Sequence, residues 1–165
     1  MPQYRSKCVK LLESRGVRLG DICDVARFLQ DDYHKSLKTE DMLPPVLHVL
    51  NKREVQYAIM VAVELDVLAE EKKLKNKTLQ KILISDEGLF GIDEVVAYSI
   101  CNLYGSIALT NFGFVDREKI GIIRKLNCDG KGTGVCNTFI DDIVGAIAAS
   151  AAAHYAHGTS VRRDD

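Results

Sequence analysis

No stretch of this sequence is long and uncharged enough to span a bilayer. About 18 to 20 apolar residues are needed, and the nearest run, Ile143 to Ala153, holds eleven and follows directly on two aspartates. At most peripheral contact with a membrane is therefore expected. An excess of either charge is also missing: 22 basic residues meet 23 acidic ones, for a net charge of -1. Nothing in that balance draws the chain to nucleic acid. The five cysteines, Cys8, Cys23, Cys101, Cys128 and Cys136, are odd in number and include no CxxC pair. The first residues hold no basic stretch followed by an apolar one, so free thiols and a cytoplasmic, reducing setting are expected. Cys128 and Cys136 lie eight residues apart with no histidine between them, which is no familiar zinc spacing.

Proline is scarce. Only three occur, two of them adjacent at Pro44 and Pro45, and the residues between favour helix over strand. The pattern predicts an all-α fold, a compact bundle of about six helices around a central helix rich in small residues. One domain over residues 1–157 and a flexible tail over 158–165 are expected. Tyr4 to Arg15 reads as a short amphipathic helix closed by Gly16, and Asp21 is a candidate cap for the next. A further helix starts at Thr39 or after the proline pair. Lys52 to Lys72 is the longest candidate. Leu79 to Ser85 is open between a helical turn and an extended piece. A helix is expected from Ile92 to Tyr104, and a helix or turn over Ser106 to Thr110. "DREKIGIIRKLNC" is left between short helix and loop, and "DGKGTG" is a loop. The last helix runs from Thr138 to His157, with Asn137 as a candidate cap.

What is abundant is acid at the ends of apolar segments. Asp31 with Asp32, Asp93 with Glu94, Asp116, and Asp141 with Asp142 recur in this way. The last pair opens the segment "NTFIDDIVGAIAASAAAHYAHG", whose Gly145, Ala146, Ala148 and Ala149 permit close helix packing. Two like charges at the start of such a helix are costly without a compensating cation, donor cluster or water. Clusters of oxygen donors suit a hard cation such as Mg²⁺, which keeps waters for a phosphate to displace. Lys119, Arg124, Lys125 and a glycine loop stand nearby in sequence, and glycine backbone can approach an anion closely. Each item also has a plainer explanation. Acids in first turns are favoured by the helix dipole at about 0.3 to 1 kcal/mol each. "DGKGTG" lacks the GK[ST] ending of a Walker loop. His154 and His157 sit where a helix C-terminus favours cationic imidazole, and His34 and His48 carry no pattern.

The second half resembles the phosphatidylglycerophosphatase A family. "IDEVVAYSI" is similar to that family's Asp-Glu element, and "VDREKIGIIRKLN" to its Asp with Lys-Pro-x-Pro-Ile-Arg, with Asp116, Lys119 and Arg124 in matching places. "DGKGTGVCNTFIDDIVGAI" is similar to its glycine loop and Asp-Asp pair, with Gly132, Gly134, Asp141 and Asp142. The likeness runs from about Ile92 to Ile147. Two departures stand out: Lys-Pro-x-Pro is "KIGI" here, without the rigid turn, and the acid before the glycine loop is Asn127 or displaced to Asp129. The chain resembles a soluble, all-helical branch of the family without transmembrane spans.

The resemblance implies a Mg²⁺-dependent phosphatase acting on phosphatidylglycerophosphate or a related lipid phosphate. It implies metal ligands among Asp93, Glu94, Asp116, Asp141 and Asp142, and catalytic work by Asp116, Asp142 and Glu94. Lys119, Arg124, Gly132 and Gly134 would bind substrate. Two alternatives are carried: a non-catalytic oligomeric helical protein for binding or regulation, and a soluble phosphatase for a small phosphorylated metabolite. Acids that converge in space favour the enzyme, and acids that stay apart favour the non-catalytic protein. Self-association into a homo-oligomer is expected from the many apolar helices on a short chain.

Overall fold

The computed structural model describes residues 3–161. Nine α-helices and one 3₁₀ turn form among the described residues, with no strand, so the all-helical expectation holds and the number of about six is corrected upward. The surplus comes from short helices. In chain order they are α1 (Arg5–Ser14), α2 (Leu19–Phe28), the 3₁₀ turn (Thr39–Met42), α3 (Leu43–Leu50), α4 (Arg53–Glu70) and α5 (Lys77–Ser85). Then follow α6 (Ile92–Cys101), α7 (Ser106–Glu118), α8 (Ile122–Asp129) and α9 (Ile140–Val161).

The centre is α9. From Cys136 to Ala153 every residue is buried, and α7, α6, α2, α3, α8 and α4 all pack on the helix. A helix apolar on every side belongs in a core, and alanine and glycine let six neighbours crowd one axis. At Gly145 a methyl would find ordinary contacts, 3.5 Å from Ile123, Phe112 and Val115. At 22 residues α9 exceeds the 18 of α4, which corrects the expectation that the Lys52 segment is longest. It runs on to Val161, past the boundary drawn at His157, and residues 162–165 lie outside the described residues.

Other differences have local causes. Asp21 is the third residue of α2 and not its cap, because its carboxylate accepts the backbone N–H of Arg18 at 2.8 Å. Ser106 opens a thirteen-residue helix that carries through Gly113 to Glu118, so Asp116 lies in its last turn. The "KIGI" turn is made without proline: Lys119 takes φ 50° and Gly121 φ 55°. A left-handed lysine costs about 1 to 2 kcal/mol, and its side chain has a use that offsets it.

Candidate active site

Three helix ends meet around one open pocket of about 260 Å³. The N-terminus of α6 brings Asp93 and Glu94, the C-terminus of α7 brings Asp116 and Lys119, and the N-terminus of α9 brings Asp141 and Asp142. The turn between α5 and α6 adds Asp86, Glu87, Gly88 and Gly91, and the glycine loop adds Lys131. Asp86 and Gly91 both lie in the left-handed region, at φ 49° and 66°. Phe90, between them, sets its ring edge-on to Phe139 at 5.8 Å and seats this turn against the start of α9.

Seven carboxylates therefore face two ammonium groups. Lys119 donates to Asp116 at 2.6 Å and to Asp141 at 3.1 Å, tying α7 to α9. Burial works to lower its pKa, yet Asp141 and Asp116 outweigh that and hold it above the ordinary lysine value. Among the described residues Asp142 receives no such bridge. It is 5% exposed, and burial, then Asp141, Asp116 and Asp93, push its pKa far up. Asp141 is raised by burial against the pull of Lys119. Burial first, and then Asp86 and Glu94, raise Asp93. Mutual repulsion at Asp142 is the electrostatic sign that the acids of α6, α7 and α9 have converged.

Glu94 lies on the rim, where the Tyr98 hydroxyl donates to it at 3.5 Å. Arg124 is exposed, and its Nε donates to the Lys119 carbonyl at 3.0 Å. It braces the lysine turn and does not line the pocket. Gly132 and Gly134 take φ 75° and 84° in the exposed loop and do not line it either. Asp31 is elsewhere, paired with Arg27 at 2.7 Å. Sequence reasoning missed Asp86, Glu87 and Lys131 as lining residues. Their signal was an acid pair in "SDEGLFGIDE" split from Asp93 by two glycines, and a lysine inside the loop itself.

The donor set is oxygen-only, which fits a hard cation and disfavours softer metals. Among the described residues no three His, Cys, Asp or Glu side chains already stand in a metal-binding arrangement. For Mg²⁺ this is no contradiction, because one or two carboxylates with waters and substrate phosphate complete its shell.

The junction leading into α9 is held by Arg15, by α8 and by α4. Asn137, expected as a cap, accepts from Arg15 at 3.0 Å and donates to the Leu126 carbonyl at 3.0 Å. The cap comes from α4: Asp66 accepts the backbone N–H of Phe139 at 3.1 Å and of Ile140 at 2.9 Å. Asp66 was also missed. An aspartate between Ala62, Val63 and Ala69 on a buried face was the available sign. All five cysteines are free thiols, Cys128 alone being exposed. No helix among the described residues is long and apolar enough to cross a membrane.

Comparison with known proteins places this geometry in context. Residues 18–157 match the family Phosphatidylglycerophosphatase A. Over 155 residues the chain is 50% identical to the uncharacterized protein YutG of Bacillus subtilis (strain 168), covering 94% of this chain and 92% of that protein. The crystal structure of the low temperature requirement C protein from Listeria monocytogenes superposes with a TM-score of 0.91 at 47% identity, covering 96% and 98% of the two chains. A protein of unknown function from Bacillus stearothermophilus gives 0.87 at 48% identity, covering 93% of each.

Proposed function

We propose that this chain, which belongs to the phosphatidylglycerophosphatase A family, is a Mg²⁺-dependent phosphatase that hydrolyses a lipid phosphomonoester, phosphatidylglycerophosphate or a close relative. Membership of a phosphatase family supports phosphoric monoester hydrolysis in general. The observation that carries the finer reading is the convergence of Asp93, Asp116, Asp141 and Asp142 on one pocket beside Lys119. These four carboxylates would hold the ion, which supplies charge neutralisation at the phosphoryl oxygens and orients water.

The chain's own groups do the rest. Lys119 and Lys131 meet the charge of the phosphoryl group. Asp142 orients the attacking water and Glu94 takes up its proton. The Asp93 side chain accepts the backbone N–H of Glu94 at 3.0 Å, which orders the first turn of α6 at the rim. Arg124 fixes the lysine turn from behind, and Gly132 and Gly134 let the loop bring Lys131 forward.

A lipid is favoured over a small metabolite by the rim. Leu89, in the turn that lines the pocket, is 95% exposed, and Ile92 and Val95 on α6 are more than half exposed. Apolar surface beside a charged pocket suits a head group with acyl chains attached. The test is inorganic phosphate release from phosphatidylglycerophosphate in detergent and from glycerol 3-phosphate, each with and without Mg²⁺. Release from the lipid that needs Mg²⁺ and that Asp142→Asn loses supports the proposal. Release from the soluble ester alone moves the substrate to a small metabolite. No release from either returns the non-catalytic alternative.

A further inference from the structure

We propose that Asp66 is a positioning residue: from the body of α4 it locks the first turn of α9 and thereby sets where Asp141 and Asp142 stand in the pocket. This rests on the reading of that pocket as the reacting site.

The first four N–H groups of a helix have no partner within it, and the usual remedy is a Ser, Thr, Asp or Asn at the cap position itself. Here the local candidates are engaged elsewhere. Thr138 donates its hydroxyl to the Leu83 carbonyl at 2.7 Å, and Asn137 is bound to Arg15 and Leu126. Asp66, 73 residues earlier in the chain, supplies the acceptor instead. Both its oxygens accept from Phe139 N–H at 3.1 Å, Oδ2 also accepts from Ile140 N–H at 2.9 Å, and the Cys136 thiol approaches Oδ1 at 3.6 Å.

Asp66 is 0% exposed, and burying a carboxylate is costly unless every acceptor direction is used. A neutral local cap would have satisfied the helix more cheaply. What the long-range carboxylate adds is a fixed relation between two helices. One turn further along α4, Glu70 accepts the Cys136 N–H at 2.9 Å and the Arg15 guanidinium at 2.8 Å, while Arg15 also donates to the Cys136 carbonyl at 2.6 Å. The two acids of α4 thus grip the chain at Cys136 and again at Phe139 and Ile140. Asp141 and Asp142 follow at once, in the same helical turn. Fraying or rotation of that turn would swing both carboxylates away from Asp93 and Asp116, which are carried by other helices.

The experiment compares native protein with Asp66→Asn and Asp66→Ala by steady-state phosphate release and by amide hydrogen exchange. Misplacement of reacting groups by about 1 Å lowers turnover roughly a hundredfold. Accordingly kcat should fall about tenfold in Asp66→Asn and about a hundredfold in Asp66→Ala, with KM within about threefold. Exchange at 139–142 should speed up at least about tenfold while 147–153 keep their protection. Native exchange at 139–142 in both variants overturns the proposal. So does a uniform loss of protection along α9 in Asp66→Asn, which would make Asp66 a general core residue, and so does a rise in KM with kcat unchanged. Should the native protein release no phosphate, the proposed function fails by itself, and the exchange pattern alone decides whether Asp66 locks the turn.

Discussion

The two ends of α9 each gather titratable groups of one kind, and they dispose of them in opposite ways. At the N-terminal end Asp141 and Asp142 are buried, face further acids from α6 and α7, and find two lysines. At the other end, about 18 Å away along the axis, His154 stacks face to face on His48 at 3.9 Å, with Tyr104 edge-on to both. Burial, the neighbouring His48, Lys52 and His157 lower the pKa of His154, and burial and then Lys52 lower His48. The histidines shed their charge and become stacked rings. The aspartates are kept beside a pocket that opens to solvent, where a cation or a phosphoryl group can use their charge. Crowding of like groups therefore does not by itself mark a site: the histidines also adjoin an open cavity, lined by Glu40 and Asp41, but losing a proton relieves their crowding without a ligand.

The largest break in this comparison is Asp142→Asn. Phosphate release should fall at least about a hundredfold, while stability at pH 7 rises. The sign follows from linkage: a carboxyl raised in the folded state binds a proton there that the unfolded chain releases near pH 4. Between that point and its folded pKa, stability falls by about 1.4 kcal/mol per pH unit per group. Thermal melts from pH 4 to 8 should therefore decline with pH in the native protein and decline less steeply in the variant. Asp66, pushed by burial up to about 7, adds a slope of the same sign that the variant retains.

Next comes Lys119→Met. Lys119 bridges α7 to α9 within the pocket, and its loss strands Asp116 and Asp141. Destabilisation of about 2 kcal/mol is expected. Adding Asp141→Asn should restore part of it, since the two positions share one interaction. Urea titrations of the two single variants and the double variant measure that coupling, and simple additivity would remove Lys119 from its role as the tie.

How much of this was legible beforehand depended on distance along the chain. The buried α9 could be read from its small residues, because a helix with no polar face has only a core to occupy. The acids in first turns could be read as well. Asp116 in a last turn could not, since Gly113 weakens the helical pattern and only packing of Ala108, Phe112 and Val115 into the core carries α7 past it. The lysine turn was hidden for another reason: nothing in "KIGI" announces a left-handed lysine, whose strain is supported by contacts to Asp116 and Asp141 made in three dimensions. Asp66 was visible as an oddity on an apolar face, but its partners are backbone N–H groups, which have no sequence signature at all.

A smaller test sharpens the contrast between the ends of α9 and its middle. Gly145 packs where a methyl would make ordinary contacts at 3.5 Å. Gly145→Ala should stabilise the protein by about 0.5 to 1 kcal/mol through helix propensity, whereas Gly145→Leu should lose about 1 to 3 kcal/mol by overpacking. Loss of stability in the alanine variant would mean that the middle of α9 is packed more tightly than these distances allow.

The smallest effect is expected at the histidine end, and it carries the opposite sign. A histidine whose pKa is lowered in the folded state binds fewer protons there than in the unfolded chain. Stability linked to His48 and His154 is complete above about pH 6.5 and is lost as pH falls below it. The groups facing the pair include Lys52 and His157, which act against protonation, and Glu40 and Asp41, which line the adjoining cavity. His154→Gln removes a contribution that opposes the carboxyls, so stability should decline more steeply with pH between about 5 and 6.5 and keep its native slope at higher pH. That higher slope belongs to Asp66, Asp141 and Asp142. If one substitution altered both limbs, the two ends of α9 would be coupled through the helix, and the separation of a reacting end from a packed end would fail.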